Sequence, residues 1–147
     1  PDNAAAAPDH GRSSAALAGS GELVLVVDDE DALLSLIAET LMTQGYRTLR
    51  AANGAEGIAV FAAHAAEIAV VLTDVKMPVM DGIAMLNVVR QIRPDVRVVA
   101  MSGVDESLDE AGRLVADGVT GVLQKPFDAA QLARAIREAL KARESAP

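Results

Sequence analysis

The chain alternates short apolar runs with amphipathic stretches, and this alternation restricts its fold more than any other feature. Leu23-Val24-Leu25-Val26-Val27 is a continuous aliphatic run, the pattern of a strand buried on both faces. Asp31 to Gln44 follows with Leu33, Leu36, Ile37 and Leu41 at helical spacing, and Gly45 ends it. Arg47 to Ala51 reads as a second, weaker strand, and Asn53-Gly54 as a turn. The next helix runs from about Ala55 to His64, although Gly57 inside it costs about 1 kcal/mol relative to Ala. Ala69 to Thr73 is the third strand, and a polar loop with Pro78 and Gly82 leads to a helix from Ile83 to about Ile92. Pro94-Asp95 turns the chain into a fourth strand, Val96 to Met101. A weak helix over about Leu108 to Ala116 precedes a short fifth strand, Gly121 to Gln124. Asp128 can cap the last helix with Gln131 as its capping-box partner, and Leu132, Ala135, Ile136, Ala139 and Leu140 form its apolar face.

Strand and helix thus alternate five times, which predicts an α/β fold: a five-stranded parallel sheet, doubly wound as (βα)5. Right-handed crossovers restrict the topology further. The length of 147 residues suits one domain, and a hydrophobic content of 51% excludes disorder throughout. The only aromatics are Tyr46, Phe61 and Phe127, so the core must be aliphatic. With no cysteine, disulfides and thiolate metal sites are excluded, as suits a reducing compartment. No apolar run approaches the ~20 residues that span a bilayer, and no signal-peptide pattern is visible. The expectation is a cytoplasmic segment without membrane contact. A net charge of -8 repels phosphate backbones and argues against direct nucleic-acid binding. Residues 1–20, rich in Ala, Ser, Gly and Pro, read as a flexible linker, residues 21–142 as the domain, and 143–147 as a disordered tail. A first residue of Pro1 rather than Met suggests a fragment or a trimmed chain.

In a parallel sheet, the residues that follow each strand share one edge, and ligands of open α/β sheets bind there. Asp28 and Asp29 follow the first strand, Asp74 the third, Ser102 the fourth and Lys125 the fifth. Carboxylates so gathered repel one another unless a cation neutralises them. Magnesium favours oxygen ligands, takes one or two carboxylates directly and readily adds a phosphate oxygen. A carboxylate nucleophile, a metal clamp, a hydroxyl and an ammonium are what phosphoryl transfer to an aspartate needs.

These residues also carry a resemblance. Val24-Leu25-Val26-Val27-Asp28-Asp29-Glu30, Leu72-Thr73-Asp74-Val75-Lys76-Met77-Pro78-Val79-Met80-Asp81-Gly82, Met101-Ser102-Gly103 and Lys125-Pro126-Phe127 stand in the order and approximate spacing of a response-regulator receiver domain. Each motif alone is weak; together they are highly specific. The chain resembles that family from about Glu22 to Leu140. The resemblance implies the flavodoxin-like strand order 2-1-3-4-5 and a phosphoacceptor role for Asp74. It implies Mg2+ held by Asp28, Asp29 and Asp74 and by the backbone carbonyl of Lys76, with Asp29 the more direct ligand of the acidic pair. It further implies that Ser102 moves toward the phosphoryl group, that Lys125 contacts Asp74 or its phosphate, and that the Lys125-Pro126 bond is cis. The implied partner is a histidine kinase or a histidine phosphotransfer protein or domain, and the family can form homodimers. One departure is clear: the family places Tyr or Phe three residues before the motif lysine, and here Val122 stands there. Gly21-Glu22 and Leu123-Gln124-Lys125-Pro126-Phe127 resemble receivers attached to hybrid sensor histidine kinases. Lys76 and Val104 carry no group suited to orient an attacking water, so a phosphorylated state lasting longer than seconds is expected.

Each residue also has a plainer explanation. Asp28, Asp29 and Asp31 could merely favour the positive end of a helix. Asp74 could satisfy loop donors, Ser102-Gly103 could be an ordinary turn, and Lys125-Pro126 a strand end. Met77, Met80 and Met101 read as packing residues, since magnesium does not favour sulfur. His10 falls in the tail, His64 near a helix end, and Arg134, Arg137, Glu138 and Lys141 on a solvated face. Two other functions compete: a degenerate receiver serving only protein interaction, and a flavodoxin-like cofactor-binding module. The latter needs a phosphate loop after the first strand, where Asp28-Asp29-Glu30 would repel the ligand.

Overall fold

Every residue of Leu23–Val27 is buried, as its unbroken apolar run requires of a strand covered on both faces. The structure, a computed structural model, describes residues 19–77, 80–103 and 118–144. The expected helix near Leu108–Ala116, with Val104, His10, most of the linker and the 145–147 tail, lies outside those residues. The described elements are β1 (Leu23–Val27), α1 (Asp31–Thr43), β2 (Arg47–Ala51), α2 (Gly54–His64), β3 (Ile68–Asp74), α3 (Gly82–Ile92), β4 (Val98–Ser102), β5 (Gly121–Gln124) and α4 (Ala129–Glu144). The five strands form one parallel sheet in the order β2-β1-β3-β4-β5, the order the resemblance implies.

Alternate side chains of the central strands point to opposite faces. Leu23, Leu25, Val27, Val71 and Ala100 pack with Phe61 of α2 and Met85, Leu86 and Val89 of α3. Val24, Val26, Val70, Leu72, Val99 and Met101 pack with Leu34, Ile37 and Leu41 of α1 and Leu132 and Ile136 of α4. The core is aliphatic apart from the fully buried Phe61 and the nearly buried Tyr46.

Local signals set the ends of the elements. Gly45 takes a φ of 96° after α1, and Tyr46 N–H donates back to the Leu41 carbonyl at 3.0 Å, a left-handed glycine stop. Asn53 caps α2 by accepting from Glu56 N–H, and Asp81 caps α3 by accepting from Ala84 N–H, both at 2.8 Å. The capping box at α4 is complete: Asp128 accepts from Gln131 N–H and Gln131 from Asp128 N–H, each at 2.8 Å. Gly19 and Gly21, at the border of the expected linker, donate to the carbonyls of Gln44 and Gly45 at 2.7 and 2.8 Å.

Three expectations are corrected. Leu36 does not join the buried face of α1; it is 61% exposed, and Leu34, Ile37, Ala38 and Leu41 form that face. Leu36 stands two residues from both Leu34 and Ala38, about 200° around the axis from each, so it cannot share their stripe. β4 begins at Val98, the first of its residues to pair with β3, and includes Ser102. β3 likewise runs from Ile68 through Asp74, whose ladder partner is Met101. Asp74 and Ser102 are thus the last residues of strands rather than loop residues.

Candidate functional site

The acidic residues meet where the strands end. Asp28 follows β1 and is fully buried; its Oδ1 accepts from Glu30 N–H at 2.8 Å and its Oδ2 from Lys125 Nζ at 3.2 Å. Asp29 beside it is exposed. Asp74 closes β3, mostly buried, with Oδ2 3.4 Å from Lys125 Nζ. One carboxylate oxygen from each of Asp28, Asp29 and Asp74 lies within 4.8 Å of the others. The topology thus gathers the three expected acidic residues and the expected lysine at a single edge.

Lys125 is placed by backbone and side chain together. Its N–H donates to the Ser102 carbonyl at 2.8 Å, continuing the β4–β5 pairing, and its ammonium lies between Asp28 and Asp74. The Lys125-Pro126 bond is cis, as the resemblance implies. Ser102 is buried, one residue beyond the ladder partner of Asp74. Lys76, two residues beyond Asp74, is exposed in the loop leaving this edge.

The electrostatics follow from this crowding. Burial pushes the Asp74 carboxyl above the ordinary carboxylate range; the Lys125 charge pulls it back, and the neighbouring Asp28 and Asp29 charges push it up again. For Lys125, burial works downward, but the carboxylates of Asp28 and Asp74 outweigh it and raise the ammonium above its usual value. The Lys125 ammonium pairs with two of the three gathered carboxylates, and a hard divalent cation would neutralise further charge there. The donors are all oxygen, at spacing one ion can bridge, so the residues fit magnesium.

The plainer explanations fare unevenly. The cap residue of α1 is Glu30, with no side-chain capping bond, and Asp28 instead spends one oxygen on Glu30 N–H and the other on Lys125. Met77 and Met101 are buried and Met80 packs against Gly54, in keeping with packing roles. His64 pairs with Glu67 at 3.3 Å at the end of α2. On α4, Arg134, Glu138 and Lys141 are exposed as expected, but Arg137 is half-buried, and its charge opposes the rise that burial and Glu22 impose on the Tyr46 hydroxyl. Val122 is partly buried within the sheet face shared with α2 and α3, so no ring occupies the usual aromatic position.

Two features were not read from the sequence. A groove of about 770 Å3 opens beside Lys125 between α1 and the start of α4, lined by Leu33, Leu36, Phe127 and Leu132. The Thr73 hydroxyl donates to the Asp74 carbonyl at 2.9 Å, a contact no spacing rule announces.

Comparisons with known proteins agree with this geometry. A family model described as "Response regulator receiver domain" matches residues 24–137. The chain is 38% identical over 125 residues to the sensor kinase CckA of Brucella abortus, covering 85% of this chain but 13% of the kinase. It is 32% identical over 119 residues to sporulation initiation phosphotransferase F of Bacillus subtilis, covering 81% of this chain and 94% of that protein. The crystal structure of a response regulator receiver domain protein from Clostridium thermocellum is similar at a TM-score of 0.78, with 33% identity over 83% of this chain and 96% of that one. The chain thus spans 13% and 27% of the first curated relatives it matches and 94% of the phosphotransferase.

Proposed function

Because the chain belongs to the response regulator receiver domain family of two-component signalling, we propose that Asp74 accepts a phosphoryl group from a phosphohistidine donor in a magnesium-dependent reaction. The observation that carries this reading is the convergence of the Asp28, Asp29 and Asp74 carboxylates within 4.8 Å, with Lys125 between two of them. The family membership disfavours the flavodoxin-like alternative, and the complete set of site residues disfavours a degenerate receiver.

Asp74 supplies the nucleophile. One carboxylate oxygen forms a bond to phosphorus as the phosphorus–nitrogen bond to the donor imidazole breaks; the electron pair leaves on the imidazole nitrogen, which then takes up a proton. Asp28, Asp29, Asp74 and the Lys76 carbonyl would hold the Mg2+, with Asp29 the more direct ligand of the acidic pair. Both oxygens of buried Asp28 already accept hydrogen bonds, whereas Asp29 is exposed. The bound cation supplies charge neutralisation for the phosphoryl oxygens. Lys125 and the Ser102 hydroxyl then hold the phosphoryl oxygens of the product, and this new demand on Ser102 and Lys125 is the start of the conformational response. With Val122 in place of a ring, the response runs through Ser102 and the backbone after it rather than through a rotating aromatic.

The donor is a histidine kinase or a histidine phosphotransfer protein or domain, and it would approach over the open edge where the groove adjoins Lys125. The likeness to a sensor kinase favours a receiver carried in a longer hybrid kinase on the cytoplasmic side. Incubation with a small phosphodonor such as acetyl phosphate tests the reading. Intact-mass measurement should find one phosphoryl group on the protein in magnesium, little in EDTA and none on Asp74→Asn. Undiminished labelling of Asp74→Asn would remove Asp74 from the reaction.

A further inference from the structure

The groove between α1 and α4 shares its walls with the acidic edge. Lys125, whose ammonium lies 3.2 Å from Asp28 Oδ2 and 3.4 Å from Asp74 Oδ2, lines the groove itself, and Pro126 and Phe127 continue that wall. Ser102 closes β4, and the next residue, Gly103, also lines the groove. Asp28 reaches the groove through a hydrogen bond. Its Oδ1 accepts from the N–H of Glu30 at 2.8 Å, and Glu30 caps α1 and lines the groove as well. The two strand ends are tied together, because Lys125 N–H donates to the Ser102 carbonyl at 2.8 Å. Asp28, Ser102 and Lys125 thus each pass into the groove wall within two residues.

The opposite face of the sheet is less well connected. Side chains alternate along a strand, so Val122 packs toward α2 and α3 while Leu123 packs toward α1 and α4. Val122 is short and β-branched, stiff about its single side-chain torsion, with no ring to swing. Val75, which follows Asp74, packs on the same face as Val122, and its N–H is held by the Met101 carbonyl at 3.3 Å.

We propose that phosphorylation of Asp74 is read out at the groove between α1 and α4, which widens as the Lys125 ammonium turns from Asp28 to the phosphoryl oxygens. The inference rests on the reading that Asp74 is the phosphoacceptor, and it adds the surface on which that event appears. The strand order sets the direction. Lys125 follows β5 and reaches across to Asp74 after β3 and Asp28 after β1. New anionic oxygens on Asp74 draw its stem toward β3, and so away from β1 and from α1 that follows it. Because the donor would approach across the groove, the transfer alters the surface on which the donor rests.

The chain contains no tryptophan, so a single introduced one reports alone. Phe127→Trp places it on the α4 side of the groove and Leu33→Trp on the α1 side, at positions partly buried against the core. The full chain carrying each substitution is treated with acetyl phosphate in MgCl2, intact mass verifies the phosphoryl group, and acrylamide quenching of the emission is measured before and after. Acrylamide is neutral, so its access reports the opening of the groove rather than the new charge nearby. The quenching slope of Phe127→Trp should rise on phosphorylation and stay unchanged when Asp74→Asn is added. Leu33→Trp decides in its place only if thermal unfolding shows that Phe127→Trp does not fold. A labelled reporter whose slope is unchanged or lower overturns the readout at the groove and leaves Asp74 as phosphoacceptor. A rise that persists with Asp74→Asn traces to the reagent and overturns it too. Absence of label on wild type overturns the reading of Asp74, and this inference with it.

Discussion

At the scale of single residues, Asp74 bears opposing demands. It must be ionised to attack phosphorus, yet burial and the Asp28 and Asp29 charges raise its pKa above the ordinary value against the pull of Lys125. Between its ordinary and its native pKa, the folded chain binds more protons than the unfolded chain, so stability falls as pH rises through that window. Above the window, the ionised carboxylate is a constant burden on the metal-free fold. Asp74→Asn carries no such burden and should melt at a higher temperature than wild type at pH 7 in EDTA. The gap should close as pH falls toward the ordinary carboxylate range, where Asp74 becomes neutral too. A variant that melts lower at pH 7 would mean that the Lys125 pairing outweighs the crowding. Asp28, Asp29, Asp74, Ser102 and Lys125 were all legible in the sequence, because a parallel sheet sends whatever follows its strands to one edge. The bond from the Thr73 hydroxyl to the Asp74 carbonyl was not, because adjacency in sequence does not fix which rotamer a side chain takes.

At the scale of elements, most boundaries followed from punctuation: Gly45 stops α1, Asn53 and Asp81 cap α2 and α3, and Asp128 with Gln131 opens α4. The misplaced start of β4 has a physical cause. Val96 is buried and apolar, which alone reads as strand, but its N–H donates to the Arg93 carbonyl at 3.1 Å in a turn, and β3 first pairs at Val98. Leu36 stands at helical spacing from Leu33 yet faces outward, because the buried stripe of α1 runs through Leu34, Ile37, Ala38 and Leu41. Arg93 shows how elements are tied at the edge opposite the site. Its Nη1 donates to the Ala65 carbonyl at 2.9 Å and also to the Ile68 carbonyl, fastening the end of α2 and the start of β3 to the end of α3. Hydrogen bonds from charged donors contribute about 1.5–3 kcal/mol each, so Arg93→Ala should lower stability by about 2 kcal/mol or more. Urea unfolding measures it, and a loss under about 0.5 kcal/mol, the scale of unremarkable surface changes, would show the tie to be slack.

At the scale of the whole molecule, one division of labour stands out. The two sheet faces are closed by aliphatic packing, and the acidic edge is left to chemistry. The strand order was legible through the motif resemblance, while composition alone supplied only an α/β domain with an aliphatic core. The groove beside Lys125 was not legible, since its walls come from α1 and the β5–α4 connection, which only the folded chain brings together. The account depends above all on three carboxylates acting together on one divalent cation. Calorimetric titration of magnesium into the full chain at neutral pH measures that directly. Wild type should bind one Mg2+, and Asp29→Ala, with its fold intact, should bind it at least about tenfold more weakly. Equal affinity in the two proteins would contradict the account.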